Sequence, residues 1–153
     1  MRVLELKVPP PAVALVTAIL MWLASRGSPT LAFVLPTGNL LAIGLAVIGL
    51  IVAISGVVTF RRARTTLNPT KPEDSSSLVS WGIYKITRNP MYLGLLLQLT
   101  AWAIFLSNWI AVLFLPVFVV YINRFQIVPE EQALTSLFAR EFVAYQSRVR
   151  RWL

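Results

Sequence analysis

The sequence predicts an all-α polytopic membrane bundle: about four transmembrane helices, then a cytoplasmic amphipathic helix at the C-terminal end. Three observations predict it. Of the 153 residues, 57% are hydrophobic and 13% charged, where a soluble domain has about 45–50% apolar and about 25% charged residues. The apolar residues are gathered into long uncharged runs. The basic residues, which give a formal net charge of +8, lie almost entirely on one side of those runs. In a soluble chain such an excess would suggest nucleic acid as a partner; here it reads as the basic flank of membrane spans, with membrane lipids as neighbours. The length suits a single domain over residues 1–153.

The first run extends from about Val8 to Ala24, entered through Pro9, Pro10 and Pro11; proline is tolerated in a first helical turn, whose N–H groups have no partner. Arg2 and Lys7 precede this run as they would in a signal peptide. The residues ahead of Ser25 and Arg26 lack a small-x-small cleavage pattern, so retention is expected. The second run, Leu40 to Phe60, carries no charge and is the clearest span. The third, Met91 to Leu106, and the fourth, Trp109 to Val128, are separated by Ser107-Asn108 alone, which reads as a tight helical hairpin. Pro116 is expected to kink the fourth. A hydrocarbon core about 30 Å thick takes roughly 20 helical residues, so the first and third are short for it.

Of the 14 Lys and Arg residues, only Arg26 falls outside the N-terminal tail, the loop of about 61–89 and the segment from Arg124 onward. The positive-inside rule then places both termini and that loop in the cytoplasm. Asn68-Pro69, Lys71-Pro72 and Ser75-Ser76-Ser77 mark turns in the loop. Beyond the fourth span, Pro129-Glu130-Glu131 opens a helix of about 129–149. Leu134, Phe138, Phe142 and Tyr145 make one apolar stripe on it, so it should lie on the bilayer or pack under the bundle.

The chain has no His and no Cys. That excludes thiol nucleophiles, Ser-His-Asp triads, His/Cys zinc sites, disulfides and haem attachment. The remaining chemistry gathers at two membrane borders on the same side. One carries Gly82, Tyr84, Arg88, Asn89, Pro90, Met91, Tyr92 and Gly94, with Gln98 a turn deeper. The other carries Asn123, Arg124, Gln126, Glu130 and Glu131. Simpler roles exist for the same residues: Asn89-Pro90 as a capped helix start, Glu130 and Glu131 as partners of a helix dipole, Arg88 and Arg124 as headgroup contacts. Gln98 is different, since an amide inside the hydrocarbon needs a partner.

The order Gly82-x-Tyr84-x-x-x-Arg88-Asn89-Pro90-Met91-Tyr92-Leu93-Gly94 is followed by an apolar hairpin. After it comes Glu130-Glu131-x-x-Leu134-x-x-x-Phe138-Ala139-x-Glu141-Phe142-x-x-Tyr145-x-x-x-Val149-x-Arg151. Together they resemble the isoprenylcysteine carboxyl methyltransferase and phospholipid methyltransferase families. The resemblance runs from about Trp81 to the C-terminal end. It implies an integral-membrane enzyme that moves a methyl group from S-adenosylmethionine to a lipophilic acceptor, with no metal. Carried over by position, Tyr84, Arg88, Asn89, Tyr92, Leu93 and Gly94 would line the cofactor pocket, and Glu130 and Glu131 would hold its ribose or ammonium. Arg124, expected to face the bundle near Glu130 and Glu131, would orient or activate the acceptor, with Asn123 and Gln126 as supporting donors. Asn89 would share the catalytic position where eukaryotic members carry His; Ala139 stands for a usual Gly and Phe142 for a usual Tyr. Sterol reductases using NADPH share part of this layout, and a non-catalytic membrane scaffold would share the anchoring arginines.

Overall fold

The computed structural model describes residues 5–63 and 77–153. The turns expected at Asn68-Pro69, Lys71-Pro72 and Ser75-Ser76 lie outside the described residues. Five α-helices follow in order: α1 (Pro10–Gly27), α2 (Gly38–Arg62), α3 (Pro90–Leu106), α4 (Trp109–Ile122) and α5 (Val128–Gln146). Among the described residues there is no β-strand. α1, α2 and the helix begun by α4 are long and apolar enough to cross a membrane. α3 is apolar but has 17 residues, about 25 Å at 1.5 Å per residue. It is also the helix that the other three surround, so protein covers most of its length. The result is an integral-membrane helical bundle.

α2 packs on α3 through small residues. A Cβ added to Gly49 would stand 2.9 Å from the Gly94 carbonyl oxygen, and one added to Gly56 would stand 3.0 Å from Pro90 and Met91 side chains. Lipid tails are as apolar as leucine, so close backbone approach and interhelical hydrogen bonds, rather than hydrophobicity, hold such a pair together. Gln98 supplies one such bond, donating Nε2 to the Ala46 carbonyl of α2 at 2.7 Å. That is the partner an amide at this depth demands.

At the far end from the charged residues, the hairpin is as tight as Ser107-Asn108 suggests. Ser107 takes a left-handed conformation (φ 49°, ψ 45°). Asn108 accepts from the Ile110 N–H at 2.9 Å as the cap of α4 and donates to the Ser28 carbonyl at 2.8 Å, which ties α1 to the hairpin.

The terminal helix is not a separate element. The backbone stays helical through Pro116 and departs from α geometry at residues Asn123–Ile127, a π-helical turn closed by the Val128 N–H on the Asn123 carbonyl, and again at Ala139 inside α5. Pro129, lacking an N–H, leaves the Phe125 carbonyl without its helical donor. The Leu6 N–H fills that position at 3.0 Å, and Gln126 Nε2 donates to the Val8 carbonyl at 2.7 Å. The segment ahead of α1 is thus sewn onto the π turn. One face of α5 packs back on the bundle. Its stripe of Leu134, Phe138, Phe142 and Tyr145 packs with Val79, Tyr84 and Phe60 in a second apolar core.

Candidate functional site

The charged end of the bundle is organised by a short 3-10 turn, Gly82–Lys85. Gly82 enters it with φ +61°, and a Cβ there would crowd the Thr59 hydroxyl at 3.2 Å. Glycine alone meets both conditions at little cost. The turn directs Tyr84 inward, where its ring meets Phe60 edge-on at 5.1 Å and its carbonyl accepts from the Tyr145 hydroxyl at 2.7 Å. α5 is thereby fastened to the turn that precedes α3.

On this frame the two borders meet. Tyr92, in the first turn of α3, donates its hydroxyl to Glu130 at the start of α5. Arg88 Nη2 lies 3.0 Å from Glu131 Oε1. Arg151 holds the same carboxylate by two N–H bonds, Nε to Oε1 at 3.1 Å and Nη2 to Oε2 at 2.6 Å. The two adjacent glutamates therefore have different environments. Glu131 is neutralised by two guanidiniums. Among the described residues Glu130 has a phenol and no cation as partner, and it follows the apolar run read from Trp109 to Val128. Loss of water around its carboxyl, with the nearby Glu131 charge, pushes its pKa up to about 8, against the opposing effect of the Tyr92 hydrogen bond. Burial raises the Tyr84 phenol well above its ordinary value, helped by Tyr145 and Glu130 nearby. Tyr145 is pushed up to about 12 by burial, with Arg88 acting in the other direction.

Tyr84, Arg88, Tyr92, Glu130 and Glu131 thus come together as the sequence leads one to expect. Other expected positions differ. Gly94 is buried on the face of α3 turned to α2, where a Cβ would stand 2.7 Å from Ala53 Cβ and 2.7 Å from the Gly49 carbonyl oxygen. It is a helix-packing glycine. Leu93 is buried beside it. Asn89 precedes α3 but makes no capping bond with its side chain; its Nδ2 donates to the Arg151 carbonyl at 2.9 Å, a tether to the end of the chain. Most of the accepting capacity of Glu131 is taken by Arg88 and Arg151, which leaves Glu130 as the carboxyl open to a ligand.

Arg124 does not reach Glu130 or Glu131. Its Nη1 pairs with Glu5 at 2.9 Å, and its side chain is 46% exposed. The reason is the helix itself: with α4, the π turn and α5 continuous, Arg124 projects toward the segment sewn onto the π turn. The same continuity removes the dipole explanation for Glu130 and Glu131, because no free helix N-terminus exists there to be neutralised. Asn123 accepts, at Oδ1, from the Trp152 Nε1 at 3.1 Å, and Gln126 is wholly buried. Both are structural ties. Sequence reasoning missed Arg151 as a site residue; its place at the end of the quoted motif was the available signal.

Among the described residues, three buried side-chain atoms have no hydrogen-bond partner: Tyr84 Oη, Arg88 Nε and Gln126 Oε1. Native proteins leave few such groups unpaired, and each calls for a reason. Two of the three are donors at the charged border: Arg88 Nε belongs to the guanidinium paired with Glu131, and Tyr84 lies close enough to Glu130 to feel its charge. An unpartnered guanidinium N–H and an unpartnered phenol make a fitting pair for a carboxylate, while the Glu130 carboxyl suits a cation or a hydroxyl.

A helical membrane protein with a paired-charge, tyrosine-lined site at one border of its bundle is the class that fold and site define. A family model for phospholipid methyltransferase matches residues 37–141. The chain belongs to that family. An "Uncharacterized protein" of Haemophilus influenzae is 49% identical over 63 residues, 41% of this chain and 100% of that protein. Protein-S-isoprenylcysteine O-methyltransferase B of Arabidopsis thaliana is 32% identical over 108 residues, 69% of this chain. That alignment covers 53% of the Arabidopsis protein, so the chain spans about half its length. No solved structure matches.

Proposed function

We propose that the protein transfers the methyl group of S-adenosylmethionine to a lipophilic acceptor at the cytoplasmic face of a bacterial inner membrane. The observation that carries this reading is a pair of buried donors without a partner among the described residues, Arg88 Nε and Tyr84 Oη, at the same border as Glu130, whose described partner is the Tyr92 phenol. S-adenosylmethionine brings a carboxylate, an ammonium, ribose hydroxyls and a sulfonium; Arg88 and Tyr84 fit the carboxylate, and Glu130 fits the ammonium or a ribose hydroxyl. The bound cofactor supplies an already activated methyl group, so no metal is needed.

The chain's own residues do the positioning. Arg88 and Tyr84 donate to the carboxylate, and Arg88 is held in direction by Glu131. Glu130 accepts from the ammonium or a ribose hydroxyl, ionising as the cation approaches, and Tyr92 stabilises the resulting carboxylate by its hydrogen bond. Alignment of this kind is a large part of what an enzyme contributes to a displacement whose leaving group is good. A membrane-border position lets a lipid acceptor enter from the bilayer while the polar cofactor enters from water. The orientation rests on the one-sided basic residues. The phosphates of NADPH call for more Arg and Lys than acids, whereas this border pairs Glu130 and Glu131 with Arg88 and Arg151, which disfavours the reductase alternative.

Calorimetry on detergent-purified protein tests the reading. Removing one partner of a buried, charge-assisted pair costs about 2–5 kcal/mol, so Arg88→Ala and Glu130→Gln should each weaken S-adenosylmethionine binding by more than roughly tenfold. Unchanged affinity in both variants, or no binding by the unaltered protein, overturns it.

A further inference from the structure

The residues after α5 lie beyond the part of the chain that the family model matches, yet they touch both borders that form the site. The Arg150 carbonyl accepts from the Arg88 N–H at 3.0 Å. The Arg151 carbonyl accepts from Asn89 Nδ2 at 2.9 Å and the Thr87 hydroxyl at 3.3 Å. Trp152 Nε1 reaches the π turn at Asn123. This strap delivers the Arg151 guanidinium to Glu131 as a bidentate fork, the geometry in which arginine binds a carboxylate most specifically.

The consequence is electrostatic as well as geometric. Arg88 and Glu131 alone would form a closed, neutral pair with little attraction left for an anion. Two guanidiniums on one carboxylate leave a net positive cluster. The Arg151 fork also fixes the carboxylate plane that Arg88 Nη2 contacts, and Arg88 Nε is the buried donor left over.

We propose that Arg151 is a positioning residue for cofactor recognition: by gripping Glu131 it frees the positive charge of Arg88, and aims the Arg88 Nε–H, for the carboxylate of the incoming cofactor. The inference rests on the S-adenosylmethionine reading above and deepens it. It makes the strap a working wall of the site, and separates the two ends of the cofactor: Arg151 governs the carboxylate end and leaves the adenosyl end alone.

The test compares ligands with and without that carboxylate. Binding of S-adenosylmethionine, S-adenosylhomocysteine and decarboxylated S-adenosylmethionine is measured by calorimetry on purified unaltered protein, Arg151→Ala, Arg151→Lys and Trp152→Phe. In Arg151→Ala the two carboxylate ligands should lose roughly tenfold or more, while the decarboxylated ligand changes less than about twofold. Arg151→Lys, which keeps the charge without the fork, should recover part of the loss, and it stands in should the alanine variant fail to fold. Trp152→Phe loosens the strap without altering charge, so any loss there should fall, as in Arg151→Ala, on the two carboxylate ligands. Equal losses for all ligands in the Arg151 variants would make the residue merely structural and overturn the proposal, as would unchanged affinities. An unaltered protein that binds none of the ligands overturns the cofactor reading itself, and the proposal with it.

Discussion

Gly94 of α3 and Gly49 of α2 approach so closely that a Cβ on Gly94 would stand 2.7 Å from the Gly49 carbonyl oxygen. The contact sets the spacing of the two helices and, through it, the position of Tyr92 half a turn earlier on α3. Overpacking a close helix contact costs about 1–3 kcal/mol. Gly94→Ala should therefore lower the thermal midpoint of the detergent-solubilised protein, and Gly94→Leu should lower it further. An unchanged midpoint in Gly94→Leu would contradict the packing described. If Gly94 instead lined a ligand pocket, the variant would lose ligand affinity while keeping its stability.

Glu130 predicts a pH dependence. Its carboxyl has a higher pKa in the folded protein, about 8, than its ordinary 4.5, so the folded state holds the proton more tightly. The stabilisation this gives is fully present below about pH 4.5 and is lost as pH rises through about 8. The ligand-free protein should melt progressively earlier between those values. Glu130→Gln, neutral throughout, should flatten that part of the profile. A wild-type midpoint that rises over the interval would reverse the assignment.

Ala139 sits inside α5 with φ 39° and ψ −114°, a backbone region that a residue with a Cβ enters only under strain. Strained conformations of this kind cost about 1–3 kcal/mol, against about 0.5–1 kcal/mol for the added chain entropy of glycine. Ala139→Gly should stabilise the protein by about 1 kcal/mol, read as a raised thermal midpoint. Ala139→Val should do the opposite.

Arg124 and Glu5 form an ion pair with an arginine side chain 46% exposed. Such pairs contribute about 0–1 kcal/mol. Arg124→Ala should leave stability and S-adenosylmethionine affinity within a few-fold of the unaltered protein, measured by melting and calorimetry. A tenfold loss of cofactor binding would place Arg124 in the site after all.

Orientation is open to direct measurement, because the chain has no cysteine of its own. Single cysteines at Ser76 and Ser107 should react with an impermeant thiol reagent from opposite sides of intact membranes. Labelling from the same side would remove the cytoplasmic placement of the site.

The sequence by itself determined the membrane class, the helix count and the terminal stripe, because these depend on local composition and period. Leu134, Phe138, Phe142 and Tyr145 follow one helical period, and all four reach the same apolar core although the backbone breaks at Ala139 between them. The sequence also marked Tyr84, Arg88, Tyr92, Glu130 and Glu131 as a group, since two borders on one side of the membrane can meet. What the tertiary structure decided was which side chain each of these would touch. Gly94 went to helix packing because α2 arrives on its face of α3, a fact held in no local pattern. Arg124 went to Glu5 because a π turn keeps α4 and α5 continuous, and sequence period cannot register one extra residue in a turn. Arg151 entered the site because the chain folds back 20 residues after Glu131. A salt bridge closed over that separation depends on where the backbone returns, and only the packed helices fix that.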